Sequence, residues 1–293
     1  MTNSRNKLGL ALGIAGVFLF GGTLPATRLT VAAIDPLFLT AARATIAGVA
    51  GLSILLILGR SIPSTSLWSE IFLSGLCTIV GFPVLMALAM TSVPAAHGGV
   101  VLGVVPLATV GAAALVAHER PSARFWATSL AGAMIVVGFV VSQGEARTFA
   151  LGDLYLFGTV IAGAFGYALS GRLSMTLPGW EVISWQVAAF LPFSTAGAFL
   201  LWPRDLSQAP PTAWLGLAYV SLVSQFFAFF VFNAAMAMAG VARVGQLMLL
   251  QPFVIVALAA LVNGEPIRLA TLAYAAAVVV TVLIGQRAPV KRT

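Results

Sequence analysis

The residues of this sequence that could do chemistry are few, and most of them interrupt long apolar stretches. Arg43 is the only charge well inside such a stretch. An arginine near the centre of a bilayer costs about 2.5–3.5 kcal/mol on insertion scales, so it should be paired, lie in a cavity or extend to the interface. Such a cation would suit a carboxylate. Other polar side chains within apolar stretches, each able to contact a ligand or a neighbouring helix, are Thr40, Tyr167, Ser170, Gln225, Asn233, Gln246 and Gln251.

Groups for covalent or metal chemistry are scarce. The chain has two histidines, His97 and His118, one cysteine, Cys77, and neither an HExxH nor a GxSxG motif. An intramembrane enzyme acting on lipid or peptide is therefore the weaker alternative, since it would need a nucleophile with a base, or a metal cluster. We expect no enzymatic activity, no metal site and no cofactor. No apolar stretch holds a deep Asp or Glu, which disfavours a pump for cations and leaves zwitterions and anions.

The elements that would position these residues are membrane-spanning helices. Of the 293 residues, 60% are hydrophobic and 8% charged, whereas soluble domains have about 45–50% and about 25%. Lipid is therefore expected to cover the apolar surface. The net charge of +7 does not indicate a nucleic-acid partner, because the basic residues are scattered between the apolar stretches.

The apolar stretches predict ten transmembrane helices. The shortest stretches have 18 residues, or about 27 Å of helix, which is close to a hydrocarbon core of about 30 Å. The loops between them are short, so we expect no soluble domain. The predicted spans are 8–27, 36–59, 71–93, 98–117, 125–142, 154–171, 182–202, 214–239, 244–264 and 269–286.

The distribution of basic residues predicts the orientation of these spans. With the N-terminus inside, ten lysines and arginines fall in inner loops and tails and three in outer loops. Lys and Arg are enriched on the cytoplasmic side of membrane proteins. We therefore expect both termini to lie in the cytoplasm. The expected location is the plasma (bacterial inner) membrane, with a multi-pass protein.

An internal repeat relates the two halves of the sequence. Four pairs align at an offset of 146 residues and one at 143, namely Met90 with Met236, Gly99 with Gly245, Pro106 with Pro252, Glu119 with Glu265, and Gly9 with Gly152. Five spans per half, an odd number, give the second half the opposite orientation in the membrane. The sequence thus predicts an all-α integral membrane fold of ten helices in a 5+5 inverted repeat, with residues 1–146 and 147–293 as the two five-helix units.

Two pairs of residues stand at equivalent places in the fourth and ninth predicted spans. Pro106 and Pro252 each remove a backbone donor and free a carbonyl four residues earlier, so each is a candidate hinge beside a cavity or a passive bend. Glu119 and Glu265 end these spans, and we expect each to stabilise the start of the next helix along the chain.

The second half offers a neutral counterpart to the intramembrane arginine. If the offset of 143 holds in this region, Arg43 aligns with Gln186, which lies beside Trp185. A cavity between the halves would then be lined asymmetrically. The candidate cavity residues are Thr40, Arg43, Tyr167, Trp185, Gln186, Gln225, Asn233, Gln246 and Gln251.

Several motifs resemble the drug/metabolite transporter superfamily, in particular its ten-helix exporters with two EamA-type domains. They are similar to the family's aromatic-glycine pair, its first basic residue, the start of its second helix and its proline-to-glutamate segment, which occurs twice. In this sequence they are Phe20-Gly21, Arg28, Pro36 to Arg43, Pro106 to Glu119 and Pro252 to Glu265. The resemblance covers essentially the whole chain and implies an inverted 5+5 bundle with a central cavity.

These observations predict a secondary transporter, and the resemblance implies an exporter, of a small metabolite such as an amino acid or a related zwitterion or anion. Alternating access would expose a central site to either side in turn. A channel is disfavoured, because the inverted duplication gives no ring of like residues around an oligomer axis. We expect a protein that functions as a monomer, with a small-molecule substrate and membrane lipid as its partners.

Overall fold

A bundle of helices forms the structure, a computed structural model that describes residues 2–90, 101–142, 151–203, 206, 208–263 and 269–292. Gly99, Glu265, His97 and the predicted boundary at 146/147 lie outside these residues. Helices are expected of such an apolar chain, because backbone groups in lipid must hydrogen-bond within the protein. In chain order the α-helices are α1 (Thr2–Gly21), α2 (Thr23–Val31), α3 (Pro36–Ile57), α4 (Thr65–Gly75), α5 (Phe82–Met90), α6 (Val105–Val116), α7 (Ala123–Ser142), α8 (Leu151–Leu173), α9 (Gly179–Leu200), α10 (Pro211–Ala218), α11 (Ala228–Ala239), α12 (Val241–Leu247), α13 (Gln251–Asn263) and α14 (Leu269–Gln286).

Irregular helical segments connect three pairs of these helices. Leu76–Gly81 and Tyr219–Phe227 are π-helical and continue α4 into α5 and α10 into α11. The 3₁₀ turn Met248–Leu250 continues α12 into α13. The strands β1 (Glu119–Pro121) and β2 (Val290–Arg292) form a short antiparallel pair.

Several segments, made of one helix or of consecutive helices, are long and apolar enough to cross a membrane. Within the described residues there are seven such segments and three shorter apolar ones. The seven are Ser4–Val31, Pro36–Ile57, Thr65–Ala89, Leu151–Leu173, Gly179–Leu200, Pro211–Ala239 and Leu269–Gln286, and the three are Val105–Val116, Ala123–Phe139 and Val241–Ile255. The predicted helical membrane fold is confirmed at this level.

The outer surface of the bundle carries large apolar side chains. Phe199, Leu200 and Leu269 are 80%, 82% and 82% exposed. Contiguous apolar surface of this kind is costly in water and is covered by acyl chains in a bilayer. The helices therefore present apolar side chains outward, and many of the polar side chains lie buried between them.

Ion pairs and hydrogen bonds tie the helices together at one end of the bundle, which we call the tied end. Here α3, α6 and α8 end and α9 and α12 begin. Arg60 Nη2 lies 2.8 Å from Glu181 Oε2, and Arg172 Nη2 lies 2.9 Å from Glu70 Oε1. Arg172 also donates to the carbonyl of Val116 at 3.2 Å. The pairing of β1 with β2 closes the same end.

Glu119 connects the two halves at the tied end. Its Oε1 accepts a hydrogen bond from the backbone N–H of Val241 at 2.8 Å, and its Oε2 accepts one from Ala242 at 2.8 Å. These N–H groups belong to the first turn of α12. Such groups have no backbone acceptor within their own helix, and the helix dipole favours an anion at this end. The sequence predicted that Glu119 stabilises the next helix along the chain. The structure corrects this, because its carboxylate caps a helix of the opposite half.

Replacing Glu119 with Gln should therefore destabilise the fold. The substitution removes the charge and leaves one backbone N–H of the buried helix start facing an amide donor, at a cost of about 1–3 kcal/mol. The midpoint of thermal unfolding in detergent should fall by several degrees. The control is Glu70→Gln, since its partner Arg172 is 45% exposed and such pairs contribute only about 0–1 kcal/mol. Equal losses in both variants would contradict the special role of Glu119.

Candidate functional site

A cavity lies inside the bundle, between helices of both halves. Its volume is about 80 Å³, counted as the space that the centres of water molecules can occupy. Because one buried water needs about 10–15 Å³ by this measure, there is room for several waters or a small solute. The walls come from α1, α2, α3, α5 and α6 in the first half, from α8, α11 and α13 in the second, and from both π-helical segments.

Helix α3 brings Arg43 to the cavity wall. The helix begins at Pro36, and the Oδ1 of Asp35 accepts hydrogen bonds from the backbone N–H groups of Leu37 (2.9 Å) and Phe38 (3.0 Å). A capping aspartate followed by proline is a strong helix-start signal. Arg43 therefore lies about two turns inside the helix.

Two glycines hold α3 tightly against α9. A Cβ atom added to Gly51 would lie 2.5 Å from Cγ2 of Val187, and one added to Gly48 would lie 3.0 Å from the carbonyl oxygen of Val187. Small residues of this kind let helix backbones approach closely in membranes. This packing fixes the position of Arg43, which lies one to two turns before these glycines.

The guanidinium of Arg43 is buried without a counter-ion among the described residues. Arg43 is 8% exposed, and its Nε has no hydrogen-bond partner in the part of the chain that the structure describes. The described ion pairs all involve other arginines. Tyr167 also lines the cavity and lies close enough to interact electrostatically with Arg43. Its neutral hydroxyl cannot balance the charge. A buried cation in this state favours an anion brought by a ligand.

The remaining polar groups of the cavity wall are neutral. Among the described lining residues, Arg43 is the only charged one. The neutral polar side chains are Thr23, Thr78, Tyr167, Ser224, Gln225 and Gln251. They can donate and accept hydrogen bonds but cannot compensate a second charge.

Aromatic side chains form one wall of the cavity. The ring of Phe20 lies 5.1 Å from that of Phe229 and 6.3 Å from that of Tyr167, measured between centroids. Behind them, Phe232 contacts Phe20 edge-to-face at 5.4 Å. Packed edge-to-face rings are rigid and apolar. This wall therefore offers a preformed surface for an apolar part of a ligand.

The two π-helical segments meet at the cavity. They begin at Leu76 and Tyr219, which are 143 residues apart, the same offset that aligns Gly9 with Gly152. Gln225 Nε2 donates to the carbonyl of Thr78 at 3.3 Å, so a side chain of the second segment satisfies the backbone of the first. π-helical turns are frequent at functional sites. Neither segment was predicted from the apolar pattern, although the repeat implies that one irregularity should occur twice.

Both candidate hinge prolines line the cavity. Pro106 is the second residue of α6, after a turn at Gly103 and Val104, and Pro252 is the second residue of α13, after the 3₁₀ turn. The sequence predicted continuous helices with a proline two turns inside. In the structure each α-helix instead starts one residue before its proline, because proline suits the first helical turn.

The structure brings together four of the nine candidate cavity residues. Arg43, Tyr167, Gln225 and Gln251 line the cavity. Thr40, Trp185, Gln186, Asn233 and Gln246 lie elsewhere and make local or interhelical hydrogen bonds. Gln186, the sequence counterpart of Arg43, donates to Ser74 Oγ at 2.6 Å and to Ser170 Oγ at 2.9 Å.

Several residues of the cavity wall were not predicted from the sequence. Thr23 and Ser224 share a hydrogen bond of 2.8 Å between their hydroxyls, and Phe82 and Met86 line the cavity from α5. The sequence does not show whether a single threonine, serine or phenylalanine in an apolar stretch lines a cavity or packs against another helix. Thr78 and Ser224 lie in the two π-helical segments, so knowledge of those segments would have identified them.

The apolar helical bundle encloses a small cavity with a cation that no described carboxylate pairs with, an arrangement typical of a membrane transporter. Comparison with known proteins gives its family. The model of the EamA-like transporter family matches this chain twice, at residues 7–142 and 150–285. The chain therefore belongs to the EamA-like transporter family, which confirms the resemblance to the drug/metabolite transporter superfamily.

Two further comparisons agree with this assignment. The uncharacterized transporter YdeK of Bacillus subtilis (strain 168) is 40% identical over 284 residues, which cover 97% of this chain and 99% of the relative. A crystal structure of another protein matches with a TM-score of 0.79 at 22% identity, over 95% of this chain and 98% of that one. The second likeness concerns the fold alone. The protein is thus an integral membrane transporter of this family.

A comparison of two glutamines in the predicted ninth span should separate packing from ligand contact. Gln246 is fully buried, with hydrogen bonds to Ser129 and Gln286, whereas Gln251 lies at the cavity with one long bond of 3.4 Å to the carbonyl of Phe20. Gln246→Leu should lower the thermal midpoint and leave KM unchanged. Gln251→Leu should leave the midpoint unchanged and raise KM about two- to tenfold, the effect of one hydrogen bond. The reverse pattern would show that the cavity is not the substrate site.

Proposed function

We propose that this protein is a secondary transporter that exports a small metabolite, such as an amino acid or a related zwitterion or anion, through the central cavity. Arg43 carries the proposal, because it is a buried cation whose Nε has no partner among the described residues and whose side chain reaches the cavity. A substrate carboxylate would supply the missing anion in two charge-assisted hydrogen bonds. The family membership supports transport as the activity.

The proposed architecture is ten transmembrane helices in a 5+5 inverted repeat. Seven long and three shorter apolar segments in the described residues support this number. The two family matches, of similar length, support a division into two homologous units. Inverted units of this kind can exchange conformations, which exposes a central site to the two sides in turn.

Alternating access would require the tied end to open and close. The cavity extends from the middle of the bundle toward the opposite end, where Met86 and Leu102 lie. The bonds from Glu119 to Val241 and Ala242 close the tied end across the two halves. We propose that the tied end faces the cytoplasm of a bacterial inner membrane, with both termini, and that the monomer is the functional unit.

A flux assay in proteoliposomes tests the transport proposal. The purified protein should give saturable flux of at least one solute from a panel of radiolabelled amino acids and other carboxylates. Arg43→Gln should reduce that flux about tenfold or more, because the substrate charge loses its buried partner. The control Lys7→Gln removes a positive charge from an exposed position of α1 and should leave flux unchanged. Absence of saturable flux for every solute would contradict the function.

Alanine substitutions at Pro106 and Pro252 test their proposed role as hinges. An alanine supplies a backbone N–H to the turn before each helix, which would extend the regular helix and stiffen the break. We expect both variants to fold with an unchanged thermal midpoint while the maximal rate of flux falls severalfold and KM changes little. If both variants transported at the maximal rate of the parent protein, the prolines would only begin their helices and would not act as hinges.

The alternative of an intramembrane enzyme receives no support from the comparisons. The matching family and the relative from Bacillus subtilis are transporters. The flux assay also separates the two classes, because an enzyme would change the solute chemically whereas a transporter returns it intact. Chromatography of the transported solute is the measurement.

A further inference from the structure

We infer that the cavity selects anionic monocarboxylates with an apolar body over zwitterions of the same shape. This inference rests on the proposed function, because it takes the cavity as the transport site. It narrows the substrate class, since the proposed function leaves zwitterions and anions equal. The cavity wall offers very different partners to the two charged ends of a ligand.

The carboxylates of the described residues all serve elsewhere. Asp35 caps α3, Asp153 lies in the first turn of α8, and the other three lie at the tied end. Those three are Glu70, Glu119 and Glu181, which contact Arg172, the start of α12 and Arg60. No Asp or Glu is therefore found among the described residues of the cavity wall. The described wall carries one positive charge and no negative one.

A ligand with only a carboxylate would complete this charge balance. Its two oxygens match the fork of the Arg43 guanidinium, and binding would leave the pair neutral. A buried ion pair tolerates low dielectric far better than a single unpaired charge does. The charge of the described cavity wall is thus complementary to a monoanion.

A zwitterion with the same body would be at a disadvantage. In an α-amino acid the ammonium is attached next to the carboxylate, so pairing the carboxylate with Arg43 brings two positive charges close together. Their repulsion is strong in a water-poor site. The other polar side chains of the cavity wall, such as those of Ser224, Gln225 and Gln251, are neutral and offset little of the lost hydration.

The apolar part of the cavity wall favours an apolar ligand body. Phe20, Phe82 and Phe229 line it together with Met86 and Ile255. These side chains offer dispersion contacts but no hydrogen bonds. A ligand with further hydroxyl or amide groups would leave them without partners at this wall. A short branched or cyclic hydrocarbon body fits these surroundings.

Three compounds with one shared body test the inference directly. They are 4-methylpentanoate, which has the carboxylate alone, leucine, which has both charges, and 3-methylbutylamine, which has the ammonium alone. Binding to the full-length protein in detergent is measured by isothermal titration calorimetry at pH 7, so that passive leakage of the acid across lipid does not interfere. We expect 4-methylpentanoate to bind about tenfold or more tightly than leucine, and 3-methylbutylamine not to bind.

Variants of Arg43 show whether the preference depends on the guanidinium. Arg43→Gln should abolish the preference for 4-methylpentanoate, Arg43→Lys should retain it at lower affinity, and Lys7→Gln should match the parent. Ligand-free Arg43→Gln should be at least as stable to heat as the parent, because the substitution removes an uncompensated buried charge. A structural arginine would behave differently, since its removal would lower the thermal midpoint.

The outcomes separate this inference from the proposed function. Equal or tighter binding of leucine, or a preference that survives in Arg43→Gln, would overturn the inference. Saturable flux of leucine or another zwitterion would then leave transport itself standing. Absence of saturable flux for every solute would instead remove the proposed function.

Discussion

The hydrocarbon core of a bilayer provides no hydrogen-bond partners, so every polar group that a membrane protein buries there must be satisfied by the protein or by what it binds. In this chain the backbone meets the requirement through helices. Polar side chains meet it through hydrogen bonds to their own helix, as Thr109 does, or to a neighbouring helix. Gln246, for example, contacts Ser129 and Gln286. At the cavity, the described residues leave the guanidinium of Arg43 without a counter-ion. Other buried side-chain atoms also lack a described partner, but they belong to residues that do not line the cavity, namely Gln186, Asn233, Arg243 and Gln286. The proposed function of the cavity depends on Arg43.

The surrounding structure keeps that charge in place, and no carboxylate of the described residues pairs with it. The Asp35 cap and the close packing at Gly51 fix α3, and the aromatic wall around Phe20 excludes water from one side. The carboxylate of Glu119 is held at the tied end by the start of α12. Carboxylates thus bind partners at the tied end, whereas the charged side chain of the described cavity wall is a cation. The irregular turns before Pro106 and Pro252 place the least regular backbone beside this site.

The sequence predicts much of the fold because lipid imposes a simple rule, long apolar stretches separated by short polar loops. By the same rule, Arg43 is exceptional in the sequence alone, as the one charge well inside such a stretch. This pattern does not show whether a neutral polar residue lines a cavity or packs between helices. Gln225 and Gln246 look alike in sequence and differ only in what surrounds them. The partner of Glu119 was wrongly predicted for a related reason. Its carboxylate acts across the two halves, and local sequence shows only the next helix along the chain.

The most direct test of the central claim is an experimental structure of the protein with a transported carboxylate bound. We predict that the carboxylate oxygens lie within hydrogen-bonding distance of the Arg43 guanidinium, with the ligand body against Phe20 and Phe229. A ligand bound outside this cavity, or an Arg43 that pairs with a carboxylate of the protein while the substrate is bound elsewhere, would contradict this claim.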